Sequence, residues 1–260
     1  MGWFSKLKVG LALGGGAARG LAHIGVLEAL HEAGVKVACV AGTSAGSIVG
    51  ALYAGGHKPK ALRELALKTR WRDLTEVIIP KDGLLGTERL ERLLDELLGG
   101  RSFAQLDVPF AAVATDLSTG AGVVLDSGCV ARAVRASCAV PGIFPPVRHE
   151  GLILADGGLR NNVPVAVARE LGANYVIAVE LHSGVPVSQP KNIFEVLIQT
   201  VAIIQWAGTE PQVRQADLVI QPDLQDHGLF SLDKAKEVMD IGYRAAMQAL
   251  ARLPRRARRR

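Results

Sequence analysis

The 260-residue chain carries 30 Lys and Arg against 25 Asp and Glu, and 49% of its residues are hydrophobic. That balance describes a packed globular protein and excludes a disordered, charge-rich body. Six of the basic residues, Arg252, Arg255, Arg256, Arg258, Arg259 and Arg260, crowd the last nine positions, so the rest of the chain is close to neutral.

Residues 8–13 are an apolar run ending in a glycine cluster, Gly14-Gly15-Gly16-Ala17-Ala18-Arg19-Gly20, and read as a buried strand. Residues 21–33 place Leu21, Ile24, Val26, Leu27 and Leu30 at helical spacing, with Gly34 as the stop. A second, β-branched strand follows at 35–41, reached by a right-handed crossover, and a helix of small residues at 47–54. Helices are expected at 59–69 and 87–98, the latter with Leu90, Leu93, Leu94, Leu97 and Leu98 on one face. Strands at 110–114 and 122–125 flank a turn at 116–120, and a helix at 130–139 stops before Pro141. A strand at 152–155, a helix at 163–171 and a strand at 175–181 come next. Helix 192–207, strand 218–221 and helix 232–253 complete the series. Strands alternating with helices predict an α/β fold, a three-layer α/β/α sandwich with a mostly parallel central sheet. One domain over residues 1–251 is expected, followed by an Arg-rich, disordered tail at 252–260.

Gly42-Thr43-Ser44-Ala45-Gly46 has the G-x-S-x-G spacing and falls between the second strand and its helix. A sharp strand-to-helix turn crowds its flanks, which Gly42 and Gly46 relieve, and it lifts the serine hydroxyl toward the positive end of the helix. The competing reading is an ordinary tight turn with Ser44 as helix N-cap. The loop at 14–20 has the same setting, and free N–H groups there form an anion site. The anion is a nucleotide phosphate or the oxyanion of acyl transfer. A P-loop needs Gly-Lys-Ser/Thr, which is absent, and Arg19 occupies the third-glycine place of the dinucleotide pattern. With a candidate nucleophile in the next turn, the oxyanion is favoured, with Arg19 either neutralising it or holding the loop.

A serine nucleophile needs a base. The histidines are His23, His31, His57, His149, His182 and His227; Ser44, Asp156 and His182 or His227 follow the Ser…Asp…His order of α/β-hydrolases. Against that arrangement, only one strand precedes the elbow strand here.

Those two glycine-rich motifs, with Asp156-Gly157-Gly158 after a strand, resemble the patatin-like phospholipases, in particular the compact bacterial members. Segments 114–120, 135–142 and 156–164 are similar to that family in the same order, so the resemblance covers most of the chain. The glycine loop has one residue more before Arg19-Gly20 than in plant patatins. The resemblance implies a Ser–Asp dyad without a catalytic histidine: Ser44 as nucleophile and Asp156 as general base. Backbone N–H groups of Gly14, Gly15, Gly16 and Ala17 would form the oxyanion hole, and Gly157 and Gly158 would let the Asp156 carboxylate reach Ser44. It implies hydrolysis of fatty-acyl esters of phospholipids or related lipids through an acyl-serine, with no metal and no organic cofactor. Alternatives on the same site are an acyltransferase or thioesterase, or a catalytically silent lipid- or partner-binding protein.

The absence of a leader-like N-terminus or a span of ~20 apolar residues predicts a cytoplasmic protein, peripheral at most to the inner membrane surface. Lipid contact is expected through Ile143-Phe144-Pro145-Pro146, the apolar stretch 193–206, Trp3 and Phe4, or the arginine tail, which is otherwise simply solvated. For 193–206, sheet cover, an acyl channel and a subunit contact are the other readings. No nucleic-acid partner is expected, since no aromatic residues interleave the tail. Cys39, Cys129 and Cys138 read as buried structural thiols of a reducing compartment.

Overall fold

The structure, a computed structural model, describes residues 7–77, 83–181, 189–229, 231–254 and 257. Trp3, Phe4, His182 and most of the tail arginines lie outside the described residues. The chain begins β1 (Val9–Leu13), a 3-10 turn (Ala17–Leu21), α1 (Ala22–Glu32), β2 (Val37–Thr43) and α2 (Ala45–Ala54). It continues with α3 (Pro59–Lys68), α4 (Trp71–Leu74), a small ribbon of β3 (Glu76–Val77) and β4 (Leu85–Gly86), and α5 (Glu88–Leu98). Then come β5 (Phe110–Asp116), β6 (Gly122–Leu125), α6 (Val130–Ser137), β7 (Val147–His149) and β8 (Leu152–Asp156). The last elements are α7 (Val165–Glu170), β9 (Tyr175–Val179), α8 (Ile193–Val213), β10 (Leu218–Ile220) and α9 (Ala235–Leu250).

The main sheet runs β10-β9-β1-β2-β5-β8-β7, with β6 also on β5. Alternate residues of each strand face opposite ways. Leu11, Leu13 and Val40 join a large core with α1, α2, α5, α6 and α9, while Ala12, Cys39 and Ala41 join a smaller one with α7. The sheet is therefore covered on both faces, as the alternation of elements predicts. Pairing is parallel from β10 to β5 and antiparallel beyond it.

The change of direction at β5 brings two distant segments together. Val113 pairs with Thr43 of β2 and Val124 of β6, whereas Ala114 pairs with Val123 of β6 and Asp156 of β8. A strand has two edges, and β6 takes one of them; β2 and β8 therefore share the other, meeting end to end. Consecutive residues of β5 thus hold Thr43, next to Ser44, and Asp156.

Several local readings change. The strand expected at 35–41 runs on to Thr43, directly into the turn. The β7–β8 hairpin was not foreseen from the pattern, because β7 is only 3 residues long; its turn uses positive φ at Glu150 and Gly151. Helix α8, expected to end at 207, continues through Gly208 and Pro211 to Val213. Cys39 and Cys138 are buried as expected, but Cys129 is exposed. Leu253 and Ala257, within the tail segment, pack against the core.

Candidate active site

Ser44 begins where β2 ends, with φ 52° and ψ −124°, a conformation L-residues seldom adopt. It occupies the N-cap position of α2, as the competing reading has it, but its side chain makes no capping bond there. The backbone is pinned instead. Its N–H donates to Ser137 Oγ at 2.9 Å, whose hydroxyl donates to Val113 O at 2.6 Å. Ser47 donates to the Ser44 carbonyl from both N–H, 2.8 Å, and Oγ, 2.6 Å. The motif glycines permit the close packing: a Cβ on Gly42 would lie 2.6 Å from Gly46 O, and one on Gly46 would lie 2.2 Å from Leu13 O.

The glycine turn after β1 lies alongside, and a Cβ on Gly15 would come within 3.3 Å of Ser44 Cβ. Its N–H groups divide into two pairs. Gly14 N–H donates to Val179 O at 3.0 Å and Gly15 N–H to Asn162 O at 3.2 Å. The N–H groups of Gly16 and Ala17 have no partner among the described residues, and Ala17 has φ 49°. Arg19 is buried and its Nε donates to His227 O at 2.8 Å, so the side chain ties this loop to the 227 segment. Burial lowers its pKa below the usual guanidinium value. His23, fully buried beneath the turn, bonds Gly14 O through Nε2 at 2.8 Å, and burial pushes it down to about 4, which keeps it neutral.

Asp156 closes β8, with its N–H donating to Ala139 O at 2.9 Å. Oδ1 accepts from Gly158 N–H at 2.7 Å, and Gln205 Nε2 of α8 stands 3.5 Å away. Oδ2 is buried without a hydrogen-bond partner among the described residues. Burial raises the carboxyl from the usual range to about 6, against the opposing pull of the Ser44 hydroxyl and the Gly158 N–H. No histidine figures among its partners within the described residues, which do not include His182; His227 lies 3.4 Å from Glu237. Gly157 is required by proximity, since a Cβ there would sit 2.1 Å from Val113 O.

A cavity of about 210 Å³ opens at Ser44, Gly16 and Ala17. Its walls are aliphatic, from Ile48 and Leu52 of α2, Leu62 and Leu65 of α3, and Leu90 and Leu94 of α5. Ile143 and Phe144 of the apolar loop and Ile198, Val201, Ala202 and Gln205 of α8 complete it. Arg135 steadies the α5 wall through Glu88 at 2.5 Å and Glu91 at 2.7 Å. Away from the cavity, α8 exposes Ile193, Val196, Leu197, Ile203, Ile204 and Trp206. No described helix is long and apolar enough to cross a membrane, and among the described residues no group of three or more His, Cys, Asp or Glu side chains is arranged to hold a metal ion.

Ser137 and Gln205 had not been singled out in the sequence. Ser137 sits inside a matched segment, but only the fold shows that its hydroxyl joins the elbow to β5. Gln205 stands out as a polar position in an apolar run.

A family model, the patatin-like phospholipases, matches residues 11–169. An uncharacterized NTE family protein of Mycobacterium tuberculosis is 38% identical over 181 residues, spanning 68% of this chain and 50% of that protein. Patatin-like phospholipase domain-containing protein 6 of Mus musculus is 37% identical over 185 residues, 67% of this chain and 14% of that one. The chain thus spans at most about half the length of these relatives. Two solved structures share the fold at low identity. VipD from Legionella pneumophila has a TM-score of 0.55 at 14% identity, over 95% of this chain and 67% of its own. ExoU from the type III secretion system of Pseudomonas aeruginosa has 0.55 at 18%, over 95% and 52%.

Proposed function

Since the chain belongs to the patatin-like phospholipase family, with the lipid acyl hydrolase activity that family implies, we propose that Ser44 and Asp156 cleave fatty-acyl esters of phospholipids or related lipids. The observation that carries this reading is the meeting of β2 and β8 along one edge of β5. It sets a strained serine beside a buried carboxylate whose Oδ2 has no hydrogen-bond partner among the described residues. The aliphatic cavity opening at Ser44 supports an acyl chain as the group held there.

In this mechanism Asp156 Oδ2 accepts the Ser44 hydroxyl proton as Oγ attacks the ester carbonyl carbon. The carbonyl oxygen becomes an oxyanion facing the Gly16 and Ala17 N–H groups and the N-terminus of α2. Gly14 and Gly15 shape that turn and are not its donors. Collapse breaks the carbon–oxygen bond to the leaving alcohol, which takes the proton from Asp156, leaving acyl-Ser44. Water then attacks, gives its proton to Asp156, and releases the fatty acid as Ser44 recovers the proton. An aspartate at its usual pKa is a feeble base; burial to about 6 strengthens it while leaving it mostly ionised at neutral pH. We include in this reading a reducing compartment, which three free thiols suit, and contact with lipid through exposed residues of α8.

The test is hydrolysis of medium-chain p-nitrophenyl esters and a phospholipid panel by wild type, Ser44→Ala and Asp156→Asn. Both variants are expected to fold and to lose at least ~10³-fold in kcat. Wild type should label with a fluorophosphonate at Ser44, and its kcat/KM should fall as pH drops through about 6. Stability runs the other way. The folded carboxyl holds its proton more tightly than the unfolded one, so the contribution is full below the unfolded pKa and is lost as pH rises through about 6. Asp156→Asn is therefore expected to raise the Tm at pH 7. Activity that survives either substitution would sink the dyad; products that appear only with an added acyl acceptor would make the protein a transferase.

A further inference from the structure

Along its inner face α8 turns from apolar to polar at Gln205, and the polar positions Gln205, Thr209 and Gln212 recur at helical spacing. All three grip one segment, the 156–163 loop that follows the general base. Gln205 Nε2 stands 3.5 Å from Asp156 Oδ1. Thr209 Oγ1 accepts from Asn162 Nδ2 at 3.1 Å. Gln212 takes Val163 N–H on Oε1 at 2.8 Å and gives Nε2 to Arg160 O at 3.1 Å. The gripped loop touches both catalytic turns in its own right, with Asn161 O accepting from Thr43 Oγ1 at 2.8 Å and Asn162 O from Gly15 N–H at 3.2 Å.

Gln205 differs from the other two in reaching the carboxylate itself and in lining the cavity that holds Ser44. Gly158 leaves the room: a Cβ there would lie 2.4 Å from Gln205 Nε2 and 2.9 Å from Asp156 Oδ1. We propose that Gln205 is a positioning residue for Asp156, its side-chain amide holding Oδ1 so that Oδ2 stays turned to the Ser44 hydroxyl. This rests on the dyad described above. With Gly158 N–H, the amide fixes the rotation of the carboxylate and favours its ionised form. The other groups facing Asp156 are the Ser44 hydroxyl from the elbow and the Cys138 thiol after α6, which burial and the Asp156 charge keep protonated. Asp116 of β5 is turned away, onto Ser118 N–H and Thr119 Oγ1.

The experiment compares pH profiles of wild type, Gln205→Met and Thr209→Val on a soluble p-nitrophenyl ester. Gln205→Met keeps the volume and removes the donor; kcat should fall by ~10-fold, KM should hold, and the acid limb should move up by ~0.5–1 pH unit. Thr209→Val loosens the loop without touching the carboxylate, so its limb should coincide with wild type whatever its Tm. Gln205→Leu gives the same reading where the Met variant is not recovered folded. A folded Gln205 variant whose acid limb stays in place, or whose loss lies in KM, overturns the proposal. If Asp156→Asn were fully active the dyad itself would fail; if it is dead and the limb stays put, only the role of Gln205 falls.

Discussion

The turns after β1 and β2 lie side by side, each joins a strand to a helix, and each holds a non-glycine residue at positive φ, Ala17 at 49° and Ser44 at 52°. They spend that geometry in opposite ways. At Ser44 the backbone is tied on both sides, by Ser137 and Ser47, and the side chain is what the turn presents. At Gly16 and Ala17 there is no functional side chain, and the backbone N–H groups, without partners among the described residues, are what the turn presents. On the proposed mechanism, the same fold element yields a nucleophile when its amide is occupied and an anion site when the amides are left open. Removing the proposed nucleophile or base, as above, is expected to silence the first turn. The predictions that follow separate the two.

The largest of these effects is expected at Gly16. A Cβ there would lie 2.9 Å from Leu181 Cδ1 and 3.1 Å from Leu181 Cβ, and Leu181 is fully buried. Gly16→Ala is therefore expected to displace the turn, since the leucine is packed in the core. A small misplacement of oxyanion donors costs ~10²-fold in kcat. KM should change little, and phosphonylation of Ser44 should slow in parallel, because its adduct uses the same donors. Unchanged kcat in a folded Gly16→Ala variant would break the comparison, since the N–H groups would then be idle.

Much of this pair of turns is legible in the sequence, for a physical reason. Both are local: a strand, a glycine cluster and a helix lie within about ten residues, and glycine records where backbone approaches backbone. Asp156 is different. An Asp-Gly after a strand is an ordinary turn until its position along β5 is known; chain order admits it only as one member of a triad, and the resemblance to a family is what implies a general base there. The register that pairs Val113 with Thr43 and Ala114 with Asp156 is set by the packing of the whole sheet. Its antiparallel edge left little trace, because β7 is too short for a pattern. The division of the four loop amides was equally hidden, since Val179 O and Asn162 O come from distant segments. The end of α8 lies past Gly208 and Pro211, where tertiary contacts outweigh local propensity.

Ser137 offers a milder way to sharpen the contrast. Its hydroxyl occupies the Ser44 N–H and is itself taken by Val113 O. Ser137→Ala leaves a buried donor and a buried acceptor unpaired, at ~1–3 kcal/mol for the loss. Urea denaturation should register that cost, with kcat reduced by less than ~10-fold because Oγ and Oδ2 are untouched. A fall in activity as large as that of Gly16→Ala would show that the tied elbow backbone matters as much as the open amides.

The smallest effect concerns the strain itself. Non-glycine residues in sparsely populated regions cost ~1–3 kcal/mol, and glycine relieves this while losing ~0.5–1 kcal/mol in chain entropy. Ser44 combines φ 52° with ψ −124°, outside the left-handed helical basin, and its backbone is held there by Ser137 and Ser47. Ala17 has nothing comparable holding its N–H among the described residues. Ser44→Gly is therefore expected to be more stable than Ser44→Ala by ~1 kcal/mol. Ala17→Gly should match wild type within ~0.5 kcal/mol and keep its activity within a few-fold. Equal gains at both positions would mean that the strain belongs to any sharp strand-to-helix turn. A gain confined to position 44 would mean that the elbow alone stores it, in the residue that carries the hydroxyl.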